Sequence, residues 1–434
     1  MVDVAEITIW GELAGAVRWD ETMQLASFQY GNDFLAKNLD LSPIKMPVSN
    51  GNRIYSFPEL LRSGNTVENA FNGLPGLLSD SLPDKYGNSL IDSWLSQQGR
   101  SPQSMNPVEK LCFIGARGMG ALEFRPAIFK RSKNTFAIEV DSLVQLSNQI
   151  LNQRESFYTN LSNNEKEAMK HIIKVGTSAG GMRAKAIVAY NEKTGEVRSG
   201  QTRVPKGFEH WLLKLDGVNE NQLGVPKGYG RIEMAYYLMA LDCEITMMKS
   251  RLLEENERAH FMTMRFDREG SDIKHHIQTF CGIQHFDYND VVSYSYEQLF
   301  QTMRMLRLDY SQAKQMFRRM VFNVAANNCD DHTKNFAFRL RQNGAWELAP
   351  AYDVSYSYDP KSIWVSQHAL SINGKRKNIS KDDLVVVGKQ MNIKKSESII
   401  KQISEVVNKW PDYADETKVS NSQRDTISST LMLL

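Results

Sequence analysis

Residues 327–355 read NNCDDHTKNFAFRLRQNGAWELAPAYDVS. Upstream, from Ser311 to Asn328, Ala313, Met316, Phe317, Met320, Val321, Val324 and Ala325 recur at helical spacing. One face of that helix is therefore seated in a core, and Asp330 opens the loop beyond it. Phe336, Phe338 and Leu340 then alternate, Gln342-Asn343-Gly344 turn the chain, and Trp346 and Leu348 return. Such a hairpin brings Asn335 close to Asp353, eighteen residues further on. Phosphoryl transfer needs this set of groups, with one carboxylate orienting a hydroxyl while an amide and a second carboxylate hold the divalent ion on ATP's phosphates. Asp330, Asn335 and Asp353 fit those roles in that order. Two other readings of the residues stay open: loop and cap residues without chemistry, or Asp330, Asp331 and His332 as metal ligands of a hydrolase.

A chain of 434 residues with 41% hydrophobic content is long enough for two or three domains and a large core. Its 52 Lys and Arg against 50 Asp and Glu leave no global charge to hold nucleic acid or an anionic membrane. Any DNA contact needs a local patch or a partner. Cys112, Cys243, Cys281 and Cys329 are far apart with no C-x-x-C spacing, which argues against zinc and a disulfide framework. The opening MVDVAEITIW is acidic where a signal peptide is basic, and no later run is long enough to span a membrane. A cytoplasmic protein without membrane contact is expected, and the sequons at Asn160 and Asn378 carry no weight.

Ile7 and Ile9, Gly15 to Trp19 and Leu25 to Tyr30 predict a small antiparallel sheet. From Pro83 the chain turns helical, with Tyr86, Leu90, Ile91 and Trp94 on one face and Asp80 or Ser81 as the cap. These residues read as a packing module without visible chemistry. The run FIGARGMGALEF, residues 113–124, lacks the Lys-Ser/Thr of a nucleotide loop and reads as a strand-to-strand turn. A polar helical stretch follows between Glu139 and Lys170.

Residues 176–186, GTSAGGMRAKA, precede the apolar strand Ile187 to Tyr190. Gly180 and Gly181 let backbone N–H groups approach phosphate oxygens, with Arg183 or Lys185 adding charge. A bulge or bend is the alternative. In HWLLKLDG, Lys214 lies between Leu213 and Leu215, and an inward lysine on an apolar strand calls for an anionic partner. Glu233, at the start of the helix Ile232 to Leu241, is positioned to pair with it or simply to favour the helix dipole. HFMTMRFDR, residues 260–268, reads as a strand ending in an exposed charged break, which in a two-lobed kinase would be the hinge.

Taken together, these residues resemble the HipA family of serine/threonine kinases. The resemblance rests on D-x-H-x-K-N at Asp330, His332, Lys334 and Asn335, on Tyr352-Asp353, and on the glycine loop, the strand lysine and R-F-D-R. W-G-E-L-A-G-A-V and G-L-L-S-D-S-L-P-D near the start resemble the family's amino-terminal subdomain, and HALSINGK, residues 368–375, also fits. Ala184 departs from the pattern, standing where many relatives have Pro. The resemblance implies that Gly180, Gly181, Arg183, Lys185 and Lys214 contact ATP's phosphates and the backbones of Met264 and Phe266 meet adenine, with Asp267 near the ribose. It implies Asn335 and Asp353 as Mg2+ ligands, Asp330 as catalytic carboxylate and His332 and Lys334 as its helpers. The resemblance also implies autophosphorylation on Ser178 or Thr177, where a phosphate's charge of about −1.5 to −2 would compete with ATP and silence the enzyme.

After Arg268 the segments become helical: Asp287 to Val292, Tyr296 to Leu306, the stripe helix, Lys381 to Gly388 and Ser396 to Trp410. GKRKNISKDD, residues 374–383, reads as a solvated basic loop. The expected fold is α+β and protein-kinase-like, with a mixed α/β amino-terminal lobe, an extra small β-rich subdomain and an all-α carboxy-terminal lobe. The expected divisions are 1–130, 131–268 and 269–434. The resemblance further implies a toxin whose protein substrate belongs to translation, an aminoacyl-tRNA synthetase for example. Its partner would be a HipB-like helix-turn-helix antitoxin through which operator DNA is mainly bound. The other readings are a small-molecule kinase of the same architecture and an inactive co-repressor.

Overall fold

The computed structural model describes residues 2–61, 70–128, 137–152, 176, 183–200, 204–218, 227–432 and 434. The first sheet joins β1 (Val4–Ile9), β2 (Glu12–Asp20), β3 (Leu25–Tyr30) and β4 (Leu122–Arg125) in the order β3-β2-β1-β4. Ile7, Ile9, Val17 and Phe28 point into its core, as their alternation predicts. The helix that follows is Lys85–Gln97, and its cap is Asp84, whose side chain accepts from Gly87 N. Neither expected cap serves, because Asp80 is turned away to accept from the backbone N–H and hydroxyl of Thr279. The glycine run 115–121 is a helix-to-strand turn instead of a strand-to-strand turn. It leaves the helix Pro107–Ile114 through Gly115 at φ 59° and enters β4.

The second sheet holds β5 (Lys185–Tyr190), β6 (Val197–Ser199), β7 (Glu209–Lys214), β8 (Ser250–Glu255) and β9 (Arg258–Met264) in the order β6-β5-β7-β9-β8. β5 and β7 run antiparallel with Lys185 opposite Lys214, and the helix Tyr229–Asp242 packs on β9. A ribbon of β10 (Arg268–Glu269) and β11 (Ile273–Lys274) leads out of it. The carboxy-terminal lobe is built on the buried helix Tyr310–Ala325, with Tyr296–Met305, Lys381–Gln390, Ser396–Val407 and Trp410–Glu416 around it. Asn421–Ser428 docks the tail, and Met432 N reaches Ala325 O at 3.0 Å.

Two expectations for this lobe change. Residues 287–292 form turns, tied by Asp287 accepting from Asn289 N, instead of a helix. The hairpin β13 (Ala337–Leu340) and β14 (Trp346–Leu348) gains a third strand, β12 (His276–Thr279). β12 is only four residues long, His-Ile-Gln-Thr, with a single aliphatic residue, so no apolar alternation announces it. Among the described residues, no helix is long and apolar enough to cross a membrane. All four cysteines are buried and unpaired.

Candidate active site

The helix Tyr310–Ala325 ends at Ala326, and Asn327 turns the chain at φ 50° into the loop that carries Asp330. A single helical turn at Thr333–Asn335 then curls the loop, and Asn335 Nδ2 donates to the backbone carbonyl of Asp330 at 2.6 Å. That bond orients Asn335 with its amide oxygen unspent on Asp330. Asp353 returns from β14 in the left-handed region, φ 51°, at the foot of the same cleft. Asp330, Asn335 and Asp353 line one cavity together with Phe336 and Tyr352.

Lys214 reaches across from β7 and donates to both Glu233 and Asp353. Burial would lower its pKa, but Asp353 and Glu233 raise it above the ordinary value, so the ammonium is held. Asp353 shows the reverse balance: burial would lift its carboxyl, yet Lys214 and Lys185 keep it below the usual carboxylate range. Asp330 is half-exposed, with His332 Nε2 3.6 Å away. Partial burial raises its pKa, the Asp353 and Asp331 carboxylates add to this, and His332 and Arg183 oppose it. Two carboxylates of one cleft are thus pushed apart, a pattern typical of groups with different tasks.

Lys334 lies with its ammonium 4.9 Å from the centre of the Tyr288 ring. Its backbone N–H donates to His332 Nδ1, and its carbonyl accepts from the Tyr352 hydroxyl at 2.7 Å. His332 and Lys334 therefore shape the loop. Arg183 is exposed, its guanidinium 4.2 Å over the Tyr229 ring. Thr177, Ser178, Gly180 and Gly181 lie outside the described residues.

The hinge departs from expectation. Arg265, Phe266 and Asp267 are buried instead of exposed. Asp267 accepts from Arg265, Arg268 and Gly120 N, so its carboxylate is tied to these three residues. Those donors hold it far below the ordinary carboxylate range despite complete burial. The Met264 N–H donates to Lys249 O, and the Phe266 carbonyl accepts from Arg339. The Met264 N–H and the Phe266 carbonyl are thus engaged within the protein. The Phe266 side chain stacks on Tyr352, with ring centroids 5.3 Å apart.

Asp331 is not a neighbour in function of Asp330. It is fully buried and accepts from Tyr296 OH, His368 Nδ1 and Ala369 N at 2.7–2.9 Å. With its oxygens so occupied it is no metal ligand, which removes the hydrolase reading. Among the described residues, no group of three His, Cys, Asp or Glu is arranged to hold a metal. Sequence reasoning missed this anchor, although both ends lay in stretches already singled out, DDH and HALSINGK. It also missed Asp80 and Asp84, buried carboxylates of the amino-terminal segment; burial raises both, opposed first by Lys334 at Asp80 and by Lys185 at Asp84.

Profiles of two protein families match the chain: the HipA N-terminal domain over residues 5–125, and the HipA-like C-terminal domain over residues 177–410, more than half of its length. The chain belongs to the HipA family. Curated protein sequences yield no match. Among solved structures, HipA from Shewanella oneidensis MR-1, described in complex with HipB and operator DNA, superposes with a TM-score of 0.67 at 16% identity. That likeness covers 98% of this chain and 94% of the other, and it supports the kinase-like HipA fold. A second structure, the Helicobacter pylori proinflammatory kinase CtkA, gives a TM-score of 0.37 at 12% identity over 51% of this chain and 84% of its own, too low to carry an argument.

Proposed function

We propose that this HipA-family chain is a serine/threonine protein kinase that transfers the terminal phosphoryl group of ATP to a protein hydroxyl. The observation that carries the reading is Lys214, whose ammonium joins Glu233 to Asp353 while Asp330 and Asn335 occupy the loop opposite. In this reading Lys214 binds phosphate oxygens, and Asp330 orients the attacking hydroxyl and takes up its proton. The oxygen donors of Asn335 and Asp353 suit Mg2+, which supplies charge neutralisation at the phosphates when bound. Arg183 and Lys185 add charge, and Tyr352, which lines the cavity, offers an aromatic ring to a base.

The same reading extends to a cytoplasmic toxin that phosphorylates a component of translation, such as an aminoacyl-tRNA synthetase, and silences itself by modifying Ser178 or Thr177. The Shewanella relative, described with HipB and operator DNA, favours a HipB-like antitoxin as partner, with DNA bound through it. Intact mass and peptide mapping of wild type and Asp330→Asn, each incubated with ATP and Mg2+, test the chemistry. Phosphate on Ser178 or Thr177 in the wild type alone is expected. An initially unmodified wild type that gains none overturns the catalytic reading and favours the inactive co-repressor.

A further inference from the structure

Lys185 is buried, and a carboxylate of the amino-terminal domain pairs with it. Asp84 Oδ2 lies 3.2 Å from Lys185 Nζ, with 8% and 3% of the two side chains exposed. Lys185 and Lys214 are directly opposed on antiparallel strands, so their side chains leave the same face of the sheet. Lys214 uses that face to reach Glu233 and Asp353. Asp84 thus completes a cluster in which two lysines are set against three carboxylates.

The helix capped by Asp84 meets the chain at a second point ahead of Lys185, at Gly176. A Cβ added to Gly176 would come within 2.5 Å of Leu90 Cδ1, so the residue opening the loop rests on the helix Lys85–Gln97. The helix is itself fixed by a hydrogen bond of 2.8 Å between the hydroxyls of Tyr86 and Ser147. Lys185 closes the same loop. A buried ammonium beside another one costs much unless a counterion holds it, and burial does push Lys185 below its ordinary pKa, against the pull of Asp84 and Asp353.

We propose that Asp84 is a positioning residue for nucleotide binding, fixing the Lys185 ammonium beside Lys214 so that the amino-terminal domain helps to build the phosphate-binding face. The proposal rests on the kinase reading and gives the amino-terminal domain a part in it.

Asp84→Asn is the informative change. Asparagine caps a helix as well as aspartate does, so the bond to Gly87 N is kept and only the charge is lost. Calorimetry with AMP-PNP and Mg2+ compares wild type, Asp84→Asn, Lys185→Met and the double variant. Asp84→Asn and Lys185→Met should each weaken binding about tenfold, the order of one lost charge-assisted contact. The double variant should be no weaker than Lys185→Met alone. Without nucleotide, acylation of Lys185 mapped by mass spectrometry should be several-fold faster in Asp84→Asn than in wild type. Should Asp84→Asn fold poorly, Asp84→Ser keeps a capping oxygen and takes its place. Unchanged binding in Asp84→Asn, multiplying losses in the double variant, or unchanged acylation each overturns the proposal alone. No binding by the wild type itself overturns the kinase reading, and the proposal with it.

Discussion

Asp330 and Asp353 differ in what surrounds them, and the difference sets what each substitution should do. Asp330 is half-exposed and faces the open side of the loop, whereas Asp353 is tied to Lys214. Asp330→Asn should lower kcat by about 10²–10⁴-fold while leaving affinity for AMP-PNP and Mg2+ close to wild type. Asp353→Asn should instead abolish the Mg2+ dependence of nucleotide binding. Single-turnover assays beside calorimetry separate the two, and equal loss of binding in both variants would refute the assignment. The Asp330, Asn335 and Asp353 set was legible because helix periodicity and a hairpin turn fix where the three emerge. The burial of Arg265, Phe266 and Asp267, expected as an exposed break, was not legible because the donors to Asp267 come from Arg265, Arg268 and the distant Gly120, and only folding reveals that a charged R-F-D-R is satisfied internally.

The loop that carries Asp330 is anchored as an element by the Asp331–His368 pair, which ties it to residues 368–369 and to Tyr296. Burial would lower the His368 pKa, but Asp331 beside it raises it to about 10 from an ordinary 6.5. A pKa raised by folding gives stability that is fully present below pH 6.5, declines above it, and is lost as pH rises through about 10. His368→Asn should therefore cost about 3–5 kcal/mol at pH 6. Its deficit should shrink by about 1.4 kcal/mol per pH unit on the way to pH 10, as read from urea unfolding of both proteins. A deficit independent of pH would show that the pair is not ionic. At this scale the long amphipathic helices were legible from periodicity. β12 was not, because its four residues are recruited by the hairpin edge and carry no pattern of their own.

Across the whole molecule, the amino-terminal domain is fastened to the carboxy-terminal lobe by neutral histidines. His276 Nε2 meets Leu41 O, and Gly76 N donates to His285 Nε2, both at 3.0 Å. Burial pushes these two imidazoles down to about 4 and about 3, so their contribution is present above pH 6.5 and is lost as pH falls toward those values. Unfolding midpoints should drop between pH 6.5 and 5, and His276→Gln with His285→Gln should flatten that drop; a profile as steep in the double variant would rule the histidines out. None of this seam was legible, since its partners are more than 200 residues apart. The same separation has a consequence for synthesis. The first sheet is complete when β4 ends at Arg125, but the atoms awaited by Leu41, Gly76 and Asp80 belong to residues 276–285. At ribosomal speeds of about 5–20 residues per second, the nascent chain carries that face uncovered for roughly 10–30 s. Asp330, Asn335 and Asp353 emerge later still, so the cleft they line cannot assemble until about four-fifths of the 434 residues have been translated.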